Sequence, residues 1–175
     1  MNRIAVLCGT GMSAFSTALS SSVEATSEIV NVESKWGDVP INVVRTLSGE
    51  VFVIDRHHSP GEKRTPPHAI EHRANVYAAS SCKPDLLVSV NSVGSMIETM
   101  PPGTIGVGSG MLDLSEKPWT FHDEDAFHSD RTNPFDNLYS DICAKTLTVK
   151  QGGAPPRVVV AQCIGPQFEL SLIHI

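Results

Sequence analysis

Short apolar runs, each stopping abruptly at a polar or glycine-containing turn, set the tightest limit on how this chain can fold. Residues 3–8 end at Gly9-Thr10-Gly11, residues 51–54 end at Asp55-Arg56-His57-His58, and residues 86–90 end at Asn91-Ser92. Runs of this length with β-branched residues read as strands. Residues 28–32 and 41–44 read as two more, separated by a turn at 35–40, and 105–107 and 157–163 as later ones. Between them, 13–21 reads as a helix of small residues. The spacing predicts another helix over 68–81, with Ile70, Ala74, Tyr77 and Ala78 on one face and Pro66 and Pro67 at its start. Residues 134–149, carrying Leu138, Ile142 and Leu147, read as a third helix. The stretch 115–133 is polar without a period and reads as a loop. Strands alternating with helices indicate an α/β domain with a largely buried sheet.

With 175 residues, 41% of them hydrophobic, the chain is sized for one domain with a real core. Its formal charge of -6 argues against a nucleic-acid coat or a polybasic membrane binder, because the mean field repels phosphate. No apolar run approaches bilayer length, and the first nine residues are too short for a signal peptide, so the expected compartment is the cytoplasm. Cys8, Cys82, Cys143 and Cys163 lack paired spacing, which gives no support to a zinc site or a disulfide framework.

Three turns could carry chemistry. Gly9-Thr10-Gly11 lies between a strand and a helix, where a tight backbone can approach an anion and the Thr10 hydroxyl can donate to it. The same turn fits a dinucleotide site, with Glu33 near the distance of a ribose-binding acid, and fits an ordinary connection as well. Arg56-His57-His58 begins a locally basic stretch, continued by Lys63, Arg64, His68, His72 and Arg73, in an acidic chain. A guanidinium fork beside an imidazole suits phosphate; a solvated basic loop is the plainer reading. Adjacent histidines without an acid at ligand spacing do not favour a metal. Asn91 and Ser92 end the most apolar strand, at the kind of position where open α/β sheets bind ligands; a capped turn is the alternative.

Taken in order, these pieces resemble the trimeric nucleoside phosphorylase family, closest to its S-methyl-5'-thioadenosine and S-methyl-5'-thioinosine phosphorylases. The likeness runs from Ile4 to Glu169. It covers the glycine turn at 8–12, Arg56-His57, and a P-H-x-I-N-Y-R-A-N signature written here as Pro67-His68-Ala69-Ile70-Glu71-His72-Arg73-Ala74-Asn75. It continues through Asn91 to Ser95, Pro102-Gly103, Thr120-Phe121 and Gly165-Pro166-Gln167-Phe168-Glu169. His58-Ser59 stands where Gly-Arg is common, and Glu71-His72 replaces Asn-Tyr. The resemblance implies a three-layer αβα fold with a central mixed twisted sheet, incomplete at its C-terminal end. It also implies phosphorolysis of a purine nucleoside, with inorganic phosphate as co-substrate and no metal or organic cofactor. Thr10, Arg56, His57, Asn91 and Ser92 would hold phosphate. His128 would reach the sugar of a neighbouring subunit in a homotrimer, and Phe168 would pack against the base.

Residues 1–169 are expected to form the N-terminal part of one phosphorylase domain. Residues 170–175, Leu-Ser-Leu-Ile-His-Ile, read as translated adapter sequence rather than native protein. The purine-recognising acid implied by the resemblance is expected beyond them. The polypeptide as written is therefore expected to be inactive, since general-acid help is worth about 10²–10⁴ in rate. Purine release from methylthioadenosine, methylthioinosine and inosine should appear when residues 1–169 are joined to the downstream coding sequence, and not before. Comparable turnover by the short form would overturn the expectation.

Overall fold

Strand β1 (Asn2–Cys8) has a parallel neighbour on each side, β4 (Gly49–Asp55) and β5 (Leu86–Val90). β3 (Val39–Arg45) pairs antiparallel with β4, and β2 (Thr26–Val32) antiparallel with β3. The resulting mixed sheet has the order β2-β3-β4-β1-β5. These strands belong to the first of two compact units, Met1–Val93 and Gly94–Ile175. The computed structural model describes all residues except 1, 13, 23, 62, 116–118 and 164–175, so the expected tail 170–175 lies outside the described residues.

Side chains alternate across a strand, and β1 uses both faces. Ala5 and Leu7 join Val39, Ile41, Phe52 and Ile54 in a core closed by Ala74, Ala78 and Ala79 of helix α2 (His72–Ser81). Val6 and Cys8 face the other way, with Val53, and meet Met12 of the short 3-10 turn Thr10–Met12 and Phe15 at the start of helix α1 (Phe15–Ser22). The helices therefore cover opposite faces, giving the three-layer arrangement. The expected buried sheet holds for β1, β3 and β4 and fails at both edges. Every residue of β2 except Val32 is exposed, and β5 alternates between half-buried and exposed positions.

The α2 region departs from its sequence reading. Pro67 opens only a 3-10 turn, Pro67–Ala69, after which Ile70 turns extended and buries its side chain. The helix then starts at His72. Glu71 caps it, accepting the Arg73 backbone N–H at 3.1 Å and pairing with the Arg73 guanidinium at 2.9 Å. Tyr77, expected on the core face, is 41% exposed and packs against Trp36 instead.

In the second unit, β6 (Val107–Asp113) and β7 (Arg157–Gln162) pair in parallel across helix α3 (Asn137–Gln151), a βαβ crossover. The strand expected at 105–107 lies further along, at Val107–Asp113, where it includes Gly108 and Gly110, residues that ordinarily weaken a strand. Gly106 and Gly108 instead make room for close packing: a Cβ on Gly108 would sit 3.2 Å from the Phe135 ring, and one on Gly106 3.0 Å from Met100 Cε. Asp136 caps α3, and Gly152 ends it with φ of 75°, a left-handed conformation that favours glycine. Leu138 and Ile142 on α3 are exposed. Among the described residues no helix is long and apolar enough to cross a membrane.

Ile54 is fully buried at the centre of the larger core. Ile54→Ala should cost about 2–5 kcal/mol, read as a lower denaturation midpoint with an unchanged slope.

Candidate active site

The parallel register brings Cys8 level with Asp55 on one side and Val90 on the other. The turns that follow the three strands therefore leave the sheet side by side. Two backbone bonds extend the ladder into them: Gly9 N–H donates to Val90 O at 3.0 Å, and Arg56 N–H to Cys8 O at 3.1 Å.

The side chains then close together. A Cβ on Gly9 would fall 2.9 Å from Arg56 Nη2 and 3.2 Å from Val90 O, so the guanidinium occupies the space that glycine leaves. A Cβ on Gly11 would fall 2.9 Å from Ser92 Oγ. Thr10 Oγ1 lies 3.5 Å from His57 Nε2. Thr10, Arg56, His57 and Ser92 thus come to one edge of the sheet. Asn91 shares that edge through its backbone, while its side chain turns back to donate to Ser89 Oγ at 3.2 Å.

The loop after β4 is tied down at several points. Asp55 Oδ1 accepts the His57 backbone N–H at 2.9 Å and Arg64 Nη2 at 2.8 Å. Thr65 donates its N–H to His57 O at 2.9 Å and its hydroxyl to His58 O at 2.6 Å. The Thr65 carbonyl in turn lies 2.9 Å from His57 Nδ1. From α2, the buried Asn75 reaches Arg56 O through Nδ2 at 3.4 Å. Asp55, Thr65 and Asn75 escaped the sequence reading. The available signals were Pro66, which holds the preceding Thr65 extended, and a polar residue at the core spacing of a helix.

Burial pushes the Arg56 guanidinium below its ordinary value, with Asp55 and Cys8 opposing. Its Nε is buried without a hydrogen-bond partner in the protein. A charged fork in that condition favours an anion, which returns both the charge balance and the missing bond. The rest of the basic stretch does not converge here. Arg64 is paired to Asp55 and Arg73 to Glu71, while Lys63 and His68 are exposed. A cavity of about 360 Å³ on the α2 side, between Trp36, Asp38, His58 and Glu71, shares Arg56 with this cluster. There burial pushes the His58 imidazole below its ordinary value, with Asn75 and Asp55 opposing.

The topology does not offer the dinucleotide geometry. That reading needs the strand before the acid to lie beside β1, yet β3 and β4 stand between β1 and β2, and Glu33 is exposed. Among the described residues no group of three or more His, Cys, Asp or Glu is placed to hold a metal. His128 lies in an exposed, irregular stretch of the second unit, and Phe168 lies outside the described residues.

The comparisons with known proteins agree with this fold. The chain is 31% identical over 135 residues to a probable S-methyl-5'-thioinosine phosphorylase of Methanothermobacter thermautotrophicus, covering 77% of this chain and 46% of the relative. It is 29% identical to the 6-oxopurine nucleoside phosphorylase of Pyrococcus furiosus over 184 residues, covering 97% of this chain and 64% of the relative. The chain spans about half the length of the thioinosine phosphorylases it matches. In fold it is similar to a methylthioadenosine phosphorylase from an antarctic soil metagenomic library, with a TM-score of 0.80 at 23% identity, over 99% of this chain and 60% of that one. With a family profile matching residues 3–170 and the sheet and turns described above, this chain belongs to the Phosphorylase superfamily.

Proposed function

We propose that this chain is the N-terminal part of an enzyme that cleaves a purine nucleoside with phosphate, yielding a free purine and a ribose 1-phosphate. The carrying observation is the meeting of Thr10, Arg56, His57 and Ser92 at the ends of three parallel strands, around a guanidinium with an unused buried donor. Phosphate held there would attack the anomeric carbon as the purine departs. The transition state resembles an oxocarbenium ion, so the anion both supplies the nucleophile and offsets developing positive charge. Arg56 would grip phosphate through its fork, Thr10 and Ser92 through hydroxyls, and the 91–92 turn through backbone amides.

The names of the relatives support S-methyl-5'-thioinosine or S-methyl-5'-thioadenosine as substrate, with 6-oxopurine nucleosides close behind. We place the enzyme in purine or methylthioadenosine salvage, in the cytoplasm, with the domain running to Glu169. His128 would cover the 5' end of the sugar from a neighbouring subunit of a homotrimer, Phe168 would pack on the base, and the purine-recognising acid would come from sequence beyond this chain. Phosphate is the co-substrate, with no metal or organic cofactor.

Two variants of the full-length parent test the site. Arg56→Ala should raise the KM for phosphate by roughly 30-fold, the loss of about 2 kcal/mol of charge-assisted bonding, and leave the nucleoside KM near its original value. Equal changes in both constants would overturn the assignment. Gly9→Ala drives a methyl against Arg56 and the Val90 carbonyl. It should weaken phosphate about tenfold by displacing the guanidinium, read in phosphate saturation curves, and unaltered phosphate saturation would show that Arg56 does not hold the anion.

A further inference from the structure

The cavity on the α2 side has a chemistry of its own. It lies wholly within the first compact unit and has a volume of about 360 Å³. Two positions at which this chain departs from the family signature meet there: His58, where glycine is common, and Glu71, where asparagine is usual. Asn75 is the most deeply buried of the polar walls, at 2% exposure. Its Nδ2 is turned to the Arg56 carbonyl, and its Oδ1 is left buried with no hydrogen-bond partner in the protein. The His58 imidazole stands close enough for Asn75 to favour its charged form, yet does not reach the geometry of a hydrogen bond to Oδ1. A buried amide oxygen in that state costs free energy until a donor reaches it. One water would meet Oδ1 and leave most of the volume unfilled, since a water takes about 30 Å³.

The charges on the walls favour a cation. Asp38 is exposed and, among the described residues, carries no ion pair. Glu71 is the second carboxylate, paired with Arg73, which does not line the cavity. Two carboxylates thus stand against one guanidinium, that of Arg56. Among the described residues no three His, Cys, Asp or Glu side chains are placed to hold a metal ion, and Ile70 and Ala74 make part of the wall apolar. The cation that suits such walls is organic. We infer that this cavity binds a small organic ammonium, whose N–H groups reach Asn75 Oδ1 and Asp38 and whose apolar stem lies on Ile70 and Ala74.

Arg56 belongs to this cavity and to the cluster at the strand ends alike. Its charge opposes a cation on the α2 side, and an anion at the strand ends offsets that charge. Each ligand therefore strengthens the binding of the other, by the same factor in both directions. The coupling rests on the reading of the strand ends as a phosphate site; the ammonium site itself does not.

Titration calorimetry on the 175-residue chain tests the inference, with benzylammonium as probe and benzyl alcohol and benzoate as its neutral and anionic counterparts. Benzylammonium should bind about tenfold more tightly than benzyl alcohol, and benzoate should not bind. Saturating inorganic phosphate should tighten benzylammonium about fivefold. Asp38→Asn should weaken benzylammonium about fivefold. Ala69→Phe, which adds a ring to the cavity wall at an exposed position, should abolish its binding and retain that of phosphate. Equal binding of benzylammonium and benzyl alcohol, or unchanged benzylammonium affinity in both variants, would overturn the ammonium site. Benzylammonium affinity that ignores bound phosphate would overturn the coupling. Failure of phosphate itself to bind would overturn the strand-end reading and the coupling with it, while the comparison with benzyl alcohol still decides the ammonium site.

Discussion

The pairing of β1 in parallel with both β4 and β5 is the constraint on which everything else rests. It sets Cys8, Asp55 and Val90 at one level, and the bonds from Gly9 to Val90 and from Arg56 to Cys8 carry that alignment one residue into the turns. Without this register, Thr10, Arg56 and Ser92 are residues separated by dozens of positions. Parallel strands need crossover connections, and helices α1 and α2 lie in those connections while covering the two faces of the sheet. The same segments therefore bury the core and align the site.

Glycine and arginine share one small volume at that edge. Gly9 is fixed less by a special backbone angle than by what lies against it, because any larger residue would meet Arg56 and the Val90 carbonyl. Arg56 is in turn held by its backbone, through Cys8 and Asn75, so its side chain keeps a free buried donor. Asp55 anchors the loop on the protein side of the cluster. It binds the His57 backbone and Arg64, and so ties a cation to the scaffold that could otherwise compete for the anion. A locally basic segment thus resolves into one guanidinium directed at the strand ends and others used to brace the fold.

The chain belongs to the Phosphorylase superfamily. Every residue placed at the cluster precedes residue 94, within the first compact unit. The departures from the family signature are accommodated locally: Glu71, standing where asparagine is usual, caps α2 and pairs with Arg73.

The sequence by itself determined the strands that carry the site and the turns that end them, because a buried strand must be apolar and its exit must be polar or small. It also determined the family, through an ordered set of motifs that no single turn could establish. Only the tertiary structure decided the rest. Which strands neighbour β1 depends on long-range pairing, and that pairing separated the Glu33 strand from the glycine turn by β3 and β4. Tyr77 left the core face because Trp36, some forty residues away in sequence, offered a ring to pack against. Nothing local to Gly106 and Gly108 announces that Met100 and Phe135 will press on them. The Thr65 carbonyl, eight residues further on, came to lie 2.9 Å from His57 Nδ1 through a contact between a ring and a backbone that no residue pattern encodes.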